Sequence, residues 1–167
     1  MRAALLVGLA ACPHPTPPPA PPPQQPQGCA NIQACNAEAD DALNVNDIRR
    51  ALDALNRACV FGDAHRCARE GMYLTTNPQQ SGDAQRAQVL FSQACDNNDG
   101  LGCEELANKA DDAKAAQLYD KACSLGDNNA CGKLAFRLHS GRGPAVDNVR
   151  ALQLAQQSCD SGADIGC

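Results

Sequence analysis

Four stretches of the chain share one pattern of apolar and polar positions. Aligned on their first cysteine, they read ALDALNRACVFGDAHRC, AQVLFSQACDNNDGLGC, AAQLYDKACSLGDNNAC and ALQLAQQSCDSGADIGC. Apolar residues recur three and four positions apart in the leading part of each stretch, as in Ala115, Leu118, Tyr119 and Ala122. This spacing predicts a helix with one apolar face. The chain is therefore predicted to consist of helical repeats.

A turn signal follows the first cysteine of every stretch. Three residues beyond that cysteine stands a residue that tolerates a left-handed helix end, namely Gly62, Asn98, Gly126 or Gly162. In the first three stretches an aspartate comes next and can cap a following helix: Asp63, Asp99 and Asp127. The last stretch has Ala163 at that position. Each unit is predicted to be a helix, a tight turn and a second helix.

The turn also explains the spacing of the cysteines, which are eight residues apart in every stretch. In one continuous helix, residues eight apart would lie about 12 Å from each other. A disulfide tolerates at most about 7 Å between Cα atoms. We therefore predict that the turn brings each pair together: Cys59 with Cys67, Cys95 with Cys103, Cys123 with Cys131, and Cys159 with Cys167. Structural zinc sites favour cysteines two to four residues apart, so no metal site is expected.

The N-terminus has a different character. Arg2 precedes an apolar run from Ala3 to Ala11, which is shorter than the roughly 20 residues that span a bilayer. Such a run is typical of an export signal, and Leu-Ala-Ala followed by Cys12 resembles the bacterial lipoprotein box. In that resemblance Cys12 becomes the first mature residue and carries lipid. We predict a signal peptide over residues 1–11.

The segment that follows the signal is rich in proline. Residues 13–27 contain nine of the 11 prolines and no charged residue, which favours a stiff spacer, although a ligand for a proline-binding module is the alternative. Residues 12–28 are thus predicted to be the lipid-attachment cysteine and a linker, and residues 29–167 the repeat domain. Without Cys12, ten of the 11 cysteines remain. Cys29 and Cys35, six residues apart, are paired by elimination.

Composition supports this picture and narrows the function. The chain has only five aromatic residues, so a core of small side chains needs further stabilisation, and disulfides supply it in an oxidising compartment. Its net charge is −5, and no basic cluster interleaves with aromatics, which argues against nucleic acid.

The residue types that carry chemistry are not clustered in the sequence. No serine has a lysine three residues on, although a serine β-lactamase needs that pair. His14, His65 and His139 are far apart, and the neighbours Glu104-Glu105 and Asp111-Asp112 diverge by about 100° on a helix. No catalytic residue and no cofactor are predicted.

The units resemble Sel1-like repeats, the α/α relatives of tetratricopeptide repeats. The third unit closes with LAFRLHSGRGPAVDNVRAL, in which Gly141, Gly143 and Asp147 match the family's Gly-x-Gly turn and its following aspartate. The cysteines make the chain similar to the cysteine-rich repeat proteins that some bacteria secrete. Two units depart from the pattern: the second lacks eight residues, and the first reads TTNPQQSGD in place of Gly-x-Gly. The chain ends at Cys167, so the last bridge either caps the solenoid or belongs to a truncated unit.

The resemblance implies an all-α solenoid of stacked helix-turn-helix repeats, each with a disulfide between its two helices. It also implies a protein or peptide ligand on the concave face. A β-lactamase-like or penicillin-binding hydrolase is the alternative that the cysteine-rich subgroup suggests, and a surface stalk without a partner is a third. We favour a binding scaffold in the cell envelope, held by the N-terminal lipid on a membrane that faces the periplasm or the exterior.

Overall fold

The computed structural model describes residues 28–78, 80–143, 145–163, 165 and 167. Over these ranges the chain forms eight helices and no strand, which confirms the all-α prediction. The predicted signal peptide, Cys12 and the linker up to residue 27 lie outside the described residues. The helices are α1 (Ile32–Asn44), α2 (Ile48–Val60), α3 (Ala64–Thr76), α4 (Asp83–Asp96), α5 (Gly100–Ala107), α6 (Asp112–Ser124), α7 (Asn128–Ser140) and α8 (Asn148–Asp160).

Each helix packs against the one before it and the one after it, so the helices form a continuous stack. Helices α2 and α3, α4 and α5, and α6 and α7 are three helix-turn-helix units, and α8 begins a fourth. We call α2, α4, α6 and α8 the first helices, and α3, α5 and α7 the second helices. The predicted solenoid of repeats is confirmed.

Helix α1 is also a second helix, which the sequence pattern did not reveal. Its N-cap, Asn31, stands four residues before Cys35, and the N-cap Asp63 of α3 stands four residues before Cys67. The side chain of each cap accepts a hydrogen bond from the backbone N–H three residues on, which satisfies a donor that the helix leaves open. The chain therefore enters the stack on the second helix of a unit.

The turns within the units have the predicted geometry. The backbone φ angle is positive at all four signal residues: +101° at Gly62, +63° at Asn98, +93° at Gly126 and +80° at Gly162. The aspartates that follow the first three cap α3, α5 and α7. Since both signals are local, each unit can fold its turn without help from the rest of the stack.

Small residues let the helices approach closely. The alanines eight residues before each first cysteine are buried, and so are the small residues one position before it. Between units, a large side chain of a first helix packs on a small residue of the preceding second helix. Phe91 lies against Gly71, where an added Cβ would come within 2.7 Å of the ring. The core thus gains its packing density from alanine and glycine rather than from aromatic side chains.

Three disulfides join the two helices of a unit, as predicted. The Cα–Cα distances are 4.7 Å for Cys59–Cys67, 4.5 Å for Cys95–Cys103 and 4.7 Å for Cys123–Cys131. The outer two bridges differ, because Cys29–Cys35 ties the residues before α1 to that helix, and Cys159–Cys167 ties α8 to the residues beyond it. No second helix follows α8 among the described residues.

None of the helices within the described ranges combines the length and the hydropathy that a bilayer crossing requires.

Candidate functional site

Helix α3 presents one face to a groove that it forms with α5. The groove has a volume of about 430 Å³, and we call it the α3 groove. Most of its lining comes from α3. His65 and the residues four, seven, eight and eleven positions after it share one side of that helix. The lining residues are His65, Arg69, Met72, Tyr73, Thr76 and Leu101.

A second groove lies against α7, two units further along the stack. Its volume is about 300 Å³, and we call it the α7 groove. It is lined by Tyr119, Lys133, Phe136, Arg137, Arg142 and Ile165.

The two grooves are equivalent by register. Met72 and Phe136 each stand five residues after the second cysteine of their unit, and Arg69 and Lys133 each stand two residues after it. The opposite wall matches as well, because Leu101 and Ile165 each stand two residues before the next unit's second cysteine. The repeat therefore builds the same combination of a cation and large apolar side chains twice.

The shortened middle unit interrupts this pattern. Helix α5 has only eight residues, and Glu105 and Asn108 occupy the positions of the cation and the large apolar side chain. Polar side chains at these two positions thus separate the two grooves. Together, the α3 groove, the α7 groove and α5 between them form what we call the second-helix face.

The cations around the α3 groove differ in what they bind. Arg66 forms a two-point ion pair with Asp40, at 2.7 and 3.1 Å, and this hydrogen bonding lowers the pKa of Asp40. His65 Nδ1 lies 3.0 Å from Asp99 Oδ2, and this hydrogen bond raises the pKa of His65 above 6.5. Arg69, which is half-buried, forms no ion pair or hydrogen bond within the described ranges. Its charge acts on the Asp40 carboxylate without direct contact and contributes to the lowered pKa of Asp40, but no carboxylate of the described ranges contacts the guanidinium itself.

A polar network fixes the cations of the α7 groove. Lys133 Nζ lies 2.6 Å from Oε1 of the buried Glu104 and donates a hydrogen bond of 2.9 Å to Asn108 Oδ1. The hydroxyl of Tyr119 donates to the same oxygen at 2.6 Å. Burial raises the pKa of Glu104, and the hydrogen bond from Lys133 counteracts this rise. Lys133 is thus part of the internal structure of the stack.

Arg137 is fixed in the same way, whereas Arg142 is not. Arg137 pairs with Asp112 at 2.7 Å, and its guanidinium lies 5.4 Å from the centre of the Tyr119 ring. Arg142 is exposed and has no side-chain partner in the part of the chain that the structure describes. Each groove therefore has one cation without an ion pair in the described ranges, although Arg69 and Arg142 do not occupy equivalent positions of the repeat.

Comparisons with known proteins identify the fold. No protein-family model and no curated protein matches the sequence. Among solved structures, a Sel1 repeat protein from Oxalobacter formigenes matches with a TM-score of 0.63 and 18% identity, over 70% of this chain and 50% of that one. The chain has the Sel1-like repeat fold.

Two further structures extend this result. Cysteine rich protein B of Helicobacter pylori is 28% identical, with a TM-score of 0.58, and the match covers 72% of this Sel1-like chain and 92% of that protein. The protective antigen c5321 of uropathogenic Escherichia coli, described as having an SLR fold, matches with a TM-score of 0.67 and 17% identity. That match covers 81% of this chain but only 32% of the antigen. The Sel1-like chain thus spans a third to a half of the two longer proteins.

Three of the four carboxylates considered for acid–base chemistry have structural roles in the Sel1-like stack, whereas Glu105 makes no ion pair or hydrogen bond in the described ranges. Glu104 is buried beside Lys133, Asp111 caps the start of α6, and Asp112 pairs with Arg137. No group of three or more His, Cys, Asp or Glu side chains in the described ranges is arranged to hold a metal ion.

The histidines and cysteines are also engaged. His65 pairs with Asp99, and His139 Nδ1 lies 2.8 Å from Asn148 Oδ1 on a different part of the stack. His14 lies outside the described residues. The ten cysteines from Cys29 onward form five disulfides. None of the candidates within the described ranges is therefore brought into a reactive cluster.

The sequence pattern did not single out Met72 or Phe136 as site residues. A large apolar residue in an amphipathic helix is normally assigned to the core, so Met72 and Phe136 did not stand out. Both are exposed, Phe136 by 60% and Met72 by 37%. The available signal was their shared register with the second cysteine, which becomes meaningful once that side of the helix is known to face solvent.

Proposed function

We propose that this chain is an exported Sel1-like repeat scaffold that binds a protein or peptide partner on its second-helix face. The observation that carries this proposal is the recurrence, in the first and third units, of a groove that combines exposed apolar side chains with a cation that forms no ion pair in the described ranges. Exposed apolar side chains reduce the solubility of a protein, so an apolar patch that recurs on its surface indicates an interaction site. The stacked fold supports the proposal because solenoids offer extended surfaces to partners. Placement of the partner on the concave face stays a prediction.

The export part of the proposal rests on the disulfides and the N-terminus. Five disulfides in one chain favour an oxidising compartment outside the cytoplasm. Lipid attachment at Cys12 would hold the repeat domain in the cell envelope. Intact mass spectrometry of the native protein, before and after reduction, tests both parts. The proposal requires an acyl addition and a gain of ten hydrogens on reduction, and an unmodified N-terminus at Met1 would rule out the anchor.

The binding surface is tested by site-specific photo-crosslinking in the cell that expresses the full chain. A crosslinking side chain is placed at Met72, at Phe136 or, as a control, at Val89, which is 66% exposed on the first helix α4. The proposal expects the same adduct from positions 72 and 136 and none from position 89. Equal crosslinking at all three positions, or none at 72 and 136, would exclude the second-helix face as the binding surface.

The described contacts do not favour the hydrolase alternative. The candidate side chains Glu104, Asp112 and His65 are held in ion pairs, and no serine has a lysine three residues on. A chromogenic cephalosporin assay on the oxidised protein, with the reduced protein as reference, tests this directly. Turnover above that reference would bring the hydrolase back.

A further inference from the structure

The α3 groove combines apolar walls with Arg69, a cation that forms no ion pair or hydrogen bond in the described ranges. We infer that this groove binds a peptide segment in which an apolar side chain stands beside a carboxylate. The inference rests on the proposed function and adds the chemistry of the partner. Its elements are Met72 and Leu101 for the apolar side chain and Arg69 for the carboxylate.

The apolar part of the groove can accept a large side chain. Met72 is 37% exposed, and Tyr73 and Leu101 are half-buried, so each presents apolar surface to solvent. The volume of about 430 Å³ lies within the range of natural ligand sites. Methionine adapts its shape to what it contacts because it is unbranched and polarisable. Burying an apolar side chain here would remove both surfaces from water.

The charge around the groove selects for an anion at one point. Arg66 and His65 are already bound to Asp40 and Asp99, whereas Arg69 lacks such a partner in the described ranges. Glu105, one helical turn beyond Leu101 on α5, makes no ion pair with Arg69. A guanidinium can hold a carboxylate through two parallel hydrogen bonds, which gives direction as well as attraction.

The net charge of the chain strengthens this selectivity. At −5 overall, the protein repels an acidic peptide from most of its surface, so attraction is confined to the cations that form no ion pair. A nucleic acid would need a row of such cations, and most of the neighbouring ones are paired. The α7 groove offers a similar combination in Phe136, Ile165 and Arg142, with the cation at a different position of the repeat. One partner could therefore engage both grooves with two apolar-acidic motifs.

The test begins with random 12-residue peptides displayed on phage and selected against the full oxidised chain. We expect the enriched peptides to carry Asp or Glu next to a large apolar residue. The consensus peptide is then made with a fluorophore, and its Kd is measured by anisotropy. Arg69→Gln should weaken binding about tenfold or more, because it removes one side of a charged pair. Changing the peptide carboxylate to its amide should cost the same factor, and the two changes together no more than one alone.

Two variants check specificity, and thermal unfolding checks that all variants remain folded. Met72→Ser should weaken binding severalfold by removing the apolar contact. Lys114→Gln alters an exposed cation on the first helix α6, and the Kd should not change. Enriched peptides without an acidic residue, or peptides indifferent to Arg69→Gln, would overturn this inference and leave the binding function intact. The binding function fails separately, if positions 72 and 136 give no crosslinked partner.

Discussion

Removing the disulfide of the third unit should destabilise the protein strongly. In the variant Cys123→Ala with Cys131→Ala, the bridge that closes an eight-residue separation between α6 and α7 is lost. The loop-entropy model assigns about 2.5 kcal/mol to a closure of this length, chiefly because the bridge restricts the unfolded chain. Both cysteines are buried, at 8% and 0% exposure, in the middle of the stack. Unfolding of this unit also exposes its neighbours on either side.

The free energy of unfolding is measured by urea titration of oxidised protein, with helix content followed by circular dichroism. At roughly 4 °C per kcal/mol for a domain of this size, the melting temperature should fall by about 10 °C. A loss below about 1 kcal/mol would refute the idea that sulfur bridges replace aromatic packing in this core.

The matched control is Cys159→Ala with Cys167→Ala. That bridge spans the same eight residues, so loop entropy alone predicts the same loss. Cys167 is exposed and lies beyond the last helix, so the end of the stack can open without unfolding the other units. We therefore expect less than half the effect. An equal loss in the two variants would show that position in the stack does not matter.

Three further perturbations test packing and electrostatics. Gly102→Ala places a Cβ 2.5 Å from a neighbouring Cβ and 2.8 Å from a backbone nitrogen on α4. It should lower the free energy of unfolding, measured by urea titration, by about 2–3 kcal/mol. A neutral result would mean that α4 and α5 can separate freely. The pKa of His65 is raised by its hydrogen bond to Asp99. The stabilisation of the fold by this pair is therefore complete below pH 6.5 and is lost as the pH rises through the raised pKa. His65→Asn should flatten the dependence of melting temperature on pH above 6.5, and an unchanged slope would contradict this. Burial raises the pKa of Glu70, which pairs with Arg86, so ionisation of Glu70 destabilises the fold as the pH rises above about 4.5. Arg86→Met removes the partner of the ionised carboxylate and should therefore lose more stability at pH 8 than at pH 4.5. Equal losses would show that Glu70 remains protonated throughout.

Much of the fold could be predicted because its signals are local. The left-handed residue at Gly126 and the cap at Asp127 specify a turn within three residues, and that turn brings Cys123 and Cys131 together. The sequence pattern did not predict helix α1, although Asn31 is an N-cap four residues before Cys35, as Asp63 is before Cys67. No preceding helix pattern and no eight-residue cysteine spacing accompanied it, so a second helix without its first was not recognised.

The candidate site was not predictable in the same way. The pattern of apolar residues shows which side of a helix is apolar, but it does not show whether a neighbouring helix covers that side. Phe91 and Phe136 are similar residues on amphipathic helices, and the first is fully buried whereas the second is 60% exposed. Their difference depends on which helices stack beside α4 and α7.

The sequence by itself thus determined the repeat unit, its turns and its internal bridges, because backbone hydrogen bonding, capping and closure of a short loop involve residues close together in the chain. Only the tertiary structure decided which apolar side chains remain in contact with water and which cations, such as Arg69, form no ion pair in the described ranges. Those properties depend on the packing of helices from different units and on charge pairs between residues that are 26 and 34 positions apart in the chain.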